Sequence, residues 1–218
     1  MEDLFGFWAR CKGDQFVHPD DADVLGSTAH SFNLECLPSP FTGPLRTAPV
    51  VLLFIAPGFD PYDLDHAKQP QAQAWYERQR GGDEPLSTAA EHRTHYGWWT
   101  RIVRQFGITP EAARAEVAVL DMAPYHSKSF HDWPLLAALP SARKAVDWAQ
   151  SVLFPAARAG DRIVVCLRSA AYWGLASGSA GRVFGEALFC PAFTRGGFMR
   201  HGPMREQVRA AVQKRVAA

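Results

Sequence analysis

The chain has 218 residues, of which 47% are hydrophobic and 21% charged, and its formal net charge is +1. This composition is typical of one folded domain and argues against a disordered or membrane-bound chain, because no segment approaches the ~18 apolar residues of a membrane span. The acidic start predicts a cytoplasmic protein without a secretory signal, and four cysteines without a Cys-x-x-Cys pair argue against a zinc site or a disulfide framework.

The N-terminal segment, residues 1–48, is predicted to form a helix followed by a surface extension. Four large apolar residues near the start indicate a short helix packed on the body of the protein: Leu4, Phe5, Phe7 and Trp8. Residues 18–43 are rich in Asp, Ser, Pro and Gly without a clear period, which is typical of ordered surface structure. We expect residues 1–218 to form a single α/β domain.

The first buried strand is predicted at Val50–Ile55, an unbroken apolar run that suits a strand covered on both faces. Pro57 and Gly58 then end the strand. Ligands of open α/β sheets usually bind beyond the carboxyl ends of strands, so the loop Ala56–Asp63 is a candidate site. A turn without function is the alternative, since every buried strand needs one.

Helical patterns separate this strand from the later ones. A weak pattern covers Gln71–Arg80, and Thr88 with Glu91 matches a capping box that opens a helix of aromatic residues. Ser141 is a candidate N-cap for the next helix, and Ser169 for a short helix of small residues.

Three more apolar runs predict strands at residues 117–121, 163–167 and 187–190. Strands that alternate with helices imply a mostly parallel, four-stranded sheet with helices on both faces, which is a three-layer α/β/α sandwich. Right-handed crossovers place the loops after these strands at one edge of the sheet. These loops are Ala56–Asp63, Asp121–Lys128, Arg168–Ala170 and Cys190–His201.

Short motifs stand at three of the strand ends: Phe54-Ile-Ala-Pro-Gly58, Val119-Leu-Asp121 and Phe189-Cys-Pro-Ala192. In order and spacing they resemble motifs of the uracil-DNA glycosylase superfamily, namely Gly-x-Ala-Pro-Gly or Gly-x-Asn-Pro-Gly, a strand that ends in the asparagine that reads uracil, and His-Pro-Ser. The offset run Gly58–Asp63 is similar to Gly-Gln-Asp-Pro-Tyr-His, but we prefer the first register because it puts the proline directly after the strand. The resemblance spans roughly residues 50–215 and implies the fold of that superfamily.

Four positions depart from the superfamily, one of which is Ala56, where several members carry Asp or Asn. Phe54 replaces the first glycine, Cys190 replaces the histidine that stabilises the leaving uracil, and Asp121, if ionised, cannot donate to a uracil carbonyl. We therefore expect a divergent DNA glycosylase-like protein that acts on another flipped or damaged base. Two alternatives stay open: a non-catalytic nucleic-acid or nucleotide-binding protein that keeps the fold, and a hydrolase of small nucleosides or glycosides.

Cleavage of a flipped nucleotide needs a pocket for the base, a group that orients water and a donor for the departing base. Asp60 is the candidate for the water and His126 for the donor, whereas a turn aspartate and a surface histidine are the structural alternatives. Asp121 can accept from an amino group of a base or orient a loop. The other predicted base-binding residues are Ala56, Pro57, Gly58, Phe59, Tyr62, Tyr125 and Cys190.

The C-terminal part of the chain is basic, with six Lys or Arg residues against one acidic residue from Arg195 onward. Basic side chains beside a site loop are typical of contacts to DNA phosphates. Such contacts are predicted for Ser127, Lys128, Arg195, Arg200 and His201. The expected partner is single-stranded or damaged duplex DNA, and we expect a monomer with no membrane contact, no metal and no other cofactor.

Overall fold

The computed structural model describes residues 3–175 and 181–217. The strands are β1 Phe41–Thr42, β2 Val50–Phe54, β3 Val117–Asp121, β4 Ile163–Cys166, β5 Arg182–Phe184 and β6 Leu188–Cys190. The α-helices are α1 Leu4–Ala9, α2 Ala22–Ser27, α3 Pro61–Ala67, α4 Pro70–Gln79, α5 Arg93–Arg104, α6 Pro110–Glu116, α7 Trp133–Ala138, α8 Pro140–Trp148, α9 Phe154–Arg158 and α10 Pro203–Val216. The fold is α/β, a mixed sheet with helices around it.

The six strands form one sheet in the order β1-β3-β2-β4-β6-β5. The four central strands are parallel, as predicted, but β1 and β5 pair antiparallel at the two edges. The prediction of a four-stranded sheet is therefore wrong. Strands of two and three residues carry no apolar run of their own, and they form because an unpaired edge next to them offers hydrogen bonds.

Side chains of β2 alternate between the two faces of the sheet. Val51 and Leu53 belong to a core cluster with α1 and α8, whereas Val50, Leu52 and Phe54 belong to a second cluster with α5 and α10. All five residues of β2 are buried, as expected for a parallel strand covered by helices on both sides.

The segment 1–48 is more than the predicted helix and surface extension. It supplies α1, but residues 36–45 are all buried, and β1 lies within them. This stretch covers the edge of β3, so its turn-rich composition reflects an irregular path rather than exposure.

Three of the predicted helix starts are wrong. Thr88 and Glu91 do exchange hydrogen bonds, with Thr88 N donating to Glu91 Oε2 at 2.8 Å, but they close a turn, and α5 begins later, after the N-cap His92. The next helix, α8, begins at Pro140, with Ser141 buried inside its first turn. Ser169 opens turns rather than a helix.

The chain order creates a crevice at the centre of the sheet. β2 lies between β3 and β4, so the chain continues from β2 to one side and later to the other, and such a switch point leaves the strand ends uncovered. The pairing of β2 with β3 continues past the strands, because Ala123 N donates to Ile55 O at 2.8 Å and Ser127 N to Pro57 O at 3.1 Å. The loops after β2 and β3 are thereby held side by side.

Candidate functional site

A cavity of about 470 Å³ opens where the loops after β2 and β3 meet, a volume suited to a small organic ligand. It brings together most of the residues predicted from sequence. The predicted residues that line it are Ala56, Pro57, Gly58, Phe59, Asp60, Asp121, His126, Ser127, Lys128 and Arg195.

Two predicted base-binding residues lie in the core instead. Tyr125 is fully buried, and its hydroxyl donates to Asp21 Oδ2 at 2.6 Å. Cys190 is 2% exposed at the end of β6 and belongs to the core cluster beneath the sheet. Both predictions are wrong, because some side chains of a strand or loop beside the cavity point into the core, as those of Tyr125 and Cys190 do.

Three further predicted residues do not line the cavity. Tyr62 lies on α3, where its ring stacks on His66 with centroids 5.2 Å apart. Arg200 and His201 are exposed, and Arg200 Nε donates to Phe193 O at 3.3 Å. A phosphate contact by Arg200 or His201 stays a prediction.

Several cavity residues were not singled out from the sequence, although two of them, Asp63 and Arg168, lie in loops that were named there. They include Asp63, His92, His95, Trp98 and Arg168. The spacing His92, His95, Trp98 puts three ring side chains on one face of a helix, and this pattern was the available signal. Arg168 lies two residues after the buried strand β4, just as Ala56 lies two residues after β2.

His126 is a buried histidine with a fixed ring. The residue is 6% exposed, which excludes the surface-histidine alternative. Nδ1 lies 2.7 Å from Gly58 O, and because a carbonyl only accepts, Nδ1 carries a hydrogen and donates it. Nε2 has no hydrogen-bond partner within the described residues, so in the neutral ring it presents a lone pair.

Asp63 is the centre of the polar contacts behind His126. Its Oδ2 accepts from Asp60 N at 2.9 Å and lies 3.4 Å from His126 Nδ1. Its Oδ1 accepts from Thr94 Oγ1 at 3.2 Å and lies 3.6 Å from His92 Nε2. Burial alone would raise the pKa of Asp63, but the hydrogen bond and the charge of His126 bring this pKa below its ordinary value. Asp63 is therefore an anion next to an imidazole.

Asp121 has the opposite environment. It is 6% exposed at the end of β3, and within the described residues its carboxyl oxygens form no hydrogen bond. Burial raises the pKa of Asp121 well above its ordinary value, and the positive charge of Arg168 offsets only part of the rise. This environment favours the neutral carboxyl of Asp121 over the ionised form considered from the sequence. A neutral carboxyl offers one O–H donor and one carbonyl acceptor.

His92 and His95 form an uncharged wall of the cavity. Burial, with the neighbouring histidines, lowers the pKa of His92 to about 2, and burial lowers the pKa of His95 to about 4. His92 Nδ1 accepts from the backbone N of His95 at 3.3 Å. Trp98 stands beside His95 and contacts Phe54 edge-on, with ring centroids 5.3 Å apart. This side of the cavity suits a flat, uncharged ring.

Basic side chains line another part of the cavity. Arg168 is half-buried, and its Nη1 donates to Arg195 O at 2.6 Å. Arg195 Nη2 donates to Ser129 Oγ at 3.4 Å. Burial lowers the pKa of Arg168, and the charge of Arg195 adds to this effect. Together with Lys128, these arginines concentrate positive charge where an anionic ligand would lower their mutual repulsion.

Asp60 is the N-cap of α3. Its Oδ1 accepts from Tyr62 N at 2.9 Å, while Asp63 accepts from the backbone N of Asp60, which completes a capping box. Asp60 is exposed at the rim of the cavity. The local structure therefore gives it the turn role that the sequence left open, while its catalytic role stays a prediction.

Comparisons with known proteins give no relative. No family model, no curated protein and no solved structure matches the chain. Within residues 3–175 and 181–217, no group of three or more His, Cys, Asp or Glu side chains is placed to hold a metal ion. No helix in these ranges is both long and apolar enough to cross a membrane. The interpretation of the cavity therefore depends on its own geometry.

Proposed function

We propose that the cavity binds a nucleobase turned out of DNA and that the protein hydrolyses the N-glycosidic bond of this nucleotide. One observation carries the proposal: a single cavity is lined by Asp121, whose pKa is raised, by His126, whose Nε2 has no hydrogen-bond partner within the described residues, and by the basic side chains of Arg168 and Arg195. These groups correspond to the three needs of the reaction, which are base recognition, proton transfer and contact with phosphate.

Asp121 supports recognition of the base edge. In its neutral form the hydroxyl donates to a carbonyl of the base while the carbonyl oxygen accepts from an adjacent ring N–H. Uracil, hypoxanthine and xanthine present such an edge. The expectation that uracil is a poor substrate rested on an ionised carboxylate, so uracil becomes a candidate again. Neutral His92 and His95 add no charge that would oppose this ligand.

His126 supports the proton transfers. Its Nδ1–H is held by the carbonyl of Gly58, so Nε2 can take a proton from the attacking water. The ring is then positive, and Asp63, 3.4 Å from Nδ1, stabilises that charge. The same proton can pass from Nε2 to the departing base, which completes hydrolysis to the free base and an abasic sugar. Asp60 takes no step in this scheme.

Arg168 supports departure of the base. It lines the cavity near Asp121, and a guanidinium there stabilises negative charge that develops on the base as the bond breaks. Arg195 and Lys128 are exposed on the same cavity and are available to phosphates on either side of the bound nucleotide.

A relationship with the uracil-DNA glycosylase superfamily, including its three-layer α/β/α arrangement, is part of the proposal. It is supported by the positions of the motifs, because Phe54–Gly58 begin at the last residue of β2 and Asp121 ends the neighbouring strand β3. Cys190 is buried where the superfamily has the histidine that stabilises the leaving base, so we assign this stabilisation to Arg168 and the protonation of the base to His126. The proposal takes the protein as a cytoplasmic monomer that acts on DNA.

The test is a panel of single-stranded and mismatched oligonucleotides that carry uracil, hypoxanthine, xanthine or cytosine, scored for alkali-labile abasic sites. We expect release of a base by the wild type, loss of release in His126→Gln and normal release in His30→Gln, a matched change at a half-buried histidine outside the cavity. Release that survives His126→Gln contradicts the role of this residue. Binding of the oligonucleotides without release of a base supports a non-catalytic binding protein. Release of a base from free nucleosides alone supports a hydrolase of small nucleosides.

A further inference from the structure

Three aromatic rings lead from the cavity to the protein surface. Phe130 lines the cavity, and its ring centroid is 4.8 Å from that of Trp133. Trp133 in turn lies 4.7 Å from Tyr172, with 31° between the ring planes. We call these three residues the aromatic ledge. The contacts join two segments far apart in sequence, the loop after β3 with the start of α7 and the turn after β4.

Burial differs along the ledge. Phe130 and Trp133 are half-buried and pack against the core cluster, so the inner part of the ledge is held in place. Tyr172 is 47% exposed, although its ring is a large apolar surface. Its ring rests on Trp133 rather than in the core, so core packing does not account for an aromatic residue at this position.

Positive charge borders the ledge on both segments. Arg168 directly precedes the turn that carries Tyr172, in which Tyr172 N donates to Ser169 O at 2.9 Å. On the other segment, Arg195 donates to the hydroxyl of Ser129, the residue before Phe130. The carboxylate of Asp132, near the ledge, accepts a hydrogen bond from Ser31 N at 3.0 Å, so its partner is Ser31 rather than either arginine.

We propose that the aromatic ledge and its two arginines bind single-stranded nucleic acid beside the nucleotide held in the cavity. Exposed rings next to basic side chains are how proteins hold single strands, with bases stacked on the rings and phosphates against the charges. A duplex keeps its base faces paired and stacked, so it gains nothing from the ledge. The inference rests on the proposed function for the ligand of the cavity, and it adds the state of the flanking strand.

The test measures the affinity for an oligothymidine of about twelve nucleotides, a length within the range of single-strand sites. Tyr172→Ala and Trp133→Ala should each weaken binding roughly 5- to 150-fold, the loss expected for one base–aromatic stack. Tyr172→Phe keeps the ring and should bind like the wild type. Val152→Ala, a change at an equally exposed apolar residue that does not line the cavity, is the control. A blunt duplex of the same length should bind wild type and Tyr172→Ala equally.

A fluorescence measurement with Trp133→Phe gives an independent test in case Trp133→Ala does not fold. The chain has seven tryptophans, so the contribution of Trp133 is the difference between wild type and Trp133→Phe. Oligothymidine should quench the wild type more than this variant. Equal quenching, or unchanged affinity in both Tyr172→Ala and Trp133→Ala, overturns the ledge, as does an equal loss of affinity for the duplex. If Tyr172→Ala and Trp133→Ala lose affinity for the single strand while the wild type releases no base from any oligonucleotide, the ledge is supported and only the proposed reaction is refuted.

Discussion

Two carboxyl groups, one in the first turn of α3 and one at the end of β3, show how one cavity prepares two different charges. Asp63 and Asp121 are each 6% exposed and both line the cavity. Burial raises the pKa of both, yet the pKa of Asp63 ends below its ordinary value and that of Asp121 well above it. The difference lies in the partners, because Asp63 has His126, Thr94 and a backbone N–H, and Asp121 has only the charge of Arg168 nearby.

The comparison indicates a division of chemical roles. Sites that use acids and bases commonly hold titratable groups whose environments push their pKa values apart. An ionised Asp63 suits the support of a positive imidazole, while a neutral Asp121 suits hydrogen bonding to a base edge. Partners rather than burial decide which carboxyl performs which task, and replacing either group tests this.

The largest effect is expected for Asp63→Asn. The amide keeps the size of the side chain but removes the charge beside His126, so kcat for base release should fall about 10³- to 10⁴-fold, as when the carboxylate behind a catalytic histidine is lost. KM should change little, because Asp63 supports the histidine and does not recognise the base.

The matched control is Asp65→Asn. Asp65 lies on the same helix but its side chain is 85% exposed and 3.7 Å from Lys68, so its replacement should leave kcat unchanged. A fall of less than tenfold in Asp63→Asn, or an equal fall in both variants, contradicts the role of Asp63. Steady-state kinetics on the best oligonucleotide of the panel decide between these outcomes.

A smaller effect on recognition is expected for Asp121. Asp121→Ala removes donor and acceptor together and should weaken binding of the preferred base roughly 5- to 150-fold, the worth of one bidentate contact to a base. Asp121→Asn keeps one donor and one acceptor and should bind the base nearly as well as the wild type.

Binding by the wild type should also decline as the pH rises through the raised pKa of Asp121, because the donor is lost, whereas Asp121→Asn should show no such decline. Equilibrium titration with free bases across pH measures both effects, and a pH dependence shared by wild type and Asp121→Asn refutes the assignment.

The raised pKa of Asp121 also makes the free energy of unfolding depend on pH. Each pKa unit by which the folded state exceeds the unfolded state corresponds to about 1.4 kcal/mol. In the unfolded chain Asp121 ionises at its ordinary pKa, whereas in the folded chain it ionises only at a higher pH. The contribution of Asp121 to the free energy of unfolding is therefore fully present below the unfolded pKa. It is lost as the pH rises from there through the folded pKa. Asp121→Asn should therefore raise the free energy of unfolding at pH 8 and not at pH 4. Urea unfolding at the two pH values checks the sign, with Asp65→Asn as the variant that should show no such gain.

The fold was predictable where the sequence itself records burial. β2, β3, β4 and β6 have continuous apolar runs because helices cover both of their faces, and each of these strands was predicted. The edge strands β1 and β5 depend on their neighbours rather than on their own residues, so the sequence contained no signal for them.

The site was predictable in position but not in detail. Convergence of the loops after β2 and β3 follows from the parallel sheet, and it correctly grouped Asp60, Asp121 and His126. The environment of Asp63 depends on His126, which lies far along the chain and reaches Asp63 only because the two loops pair beyond the strands. Charge states depend on burial and on such distant partners, and for this reason the raised pKa of Asp121 could not be predicted from the sequence.

The smallest effect is expected for Asp60, the third carboxylate of the cavity, which is exposed and serves as the cap of α3. Asparagine is an equally good N-cap, so Asp60→Asn should change the free energy of unfolding by only a few tenths of a kcal/mol, whereas Asp60→Ala should cost about 0.5–2 kcal/mol because the N–H of Tyr62 loses its acceptor. Base release by Asp60→Asn should equal that of the wild type, since His126 rather than Asp60 handles the proton of the water. The asparagine variant therefore separates capping from chemistry. A large loss of kcat in Asp60→Asn at unchanged stability would restore Asp60 as the water-activating group and leave Asp63 and Asp121 as its supports.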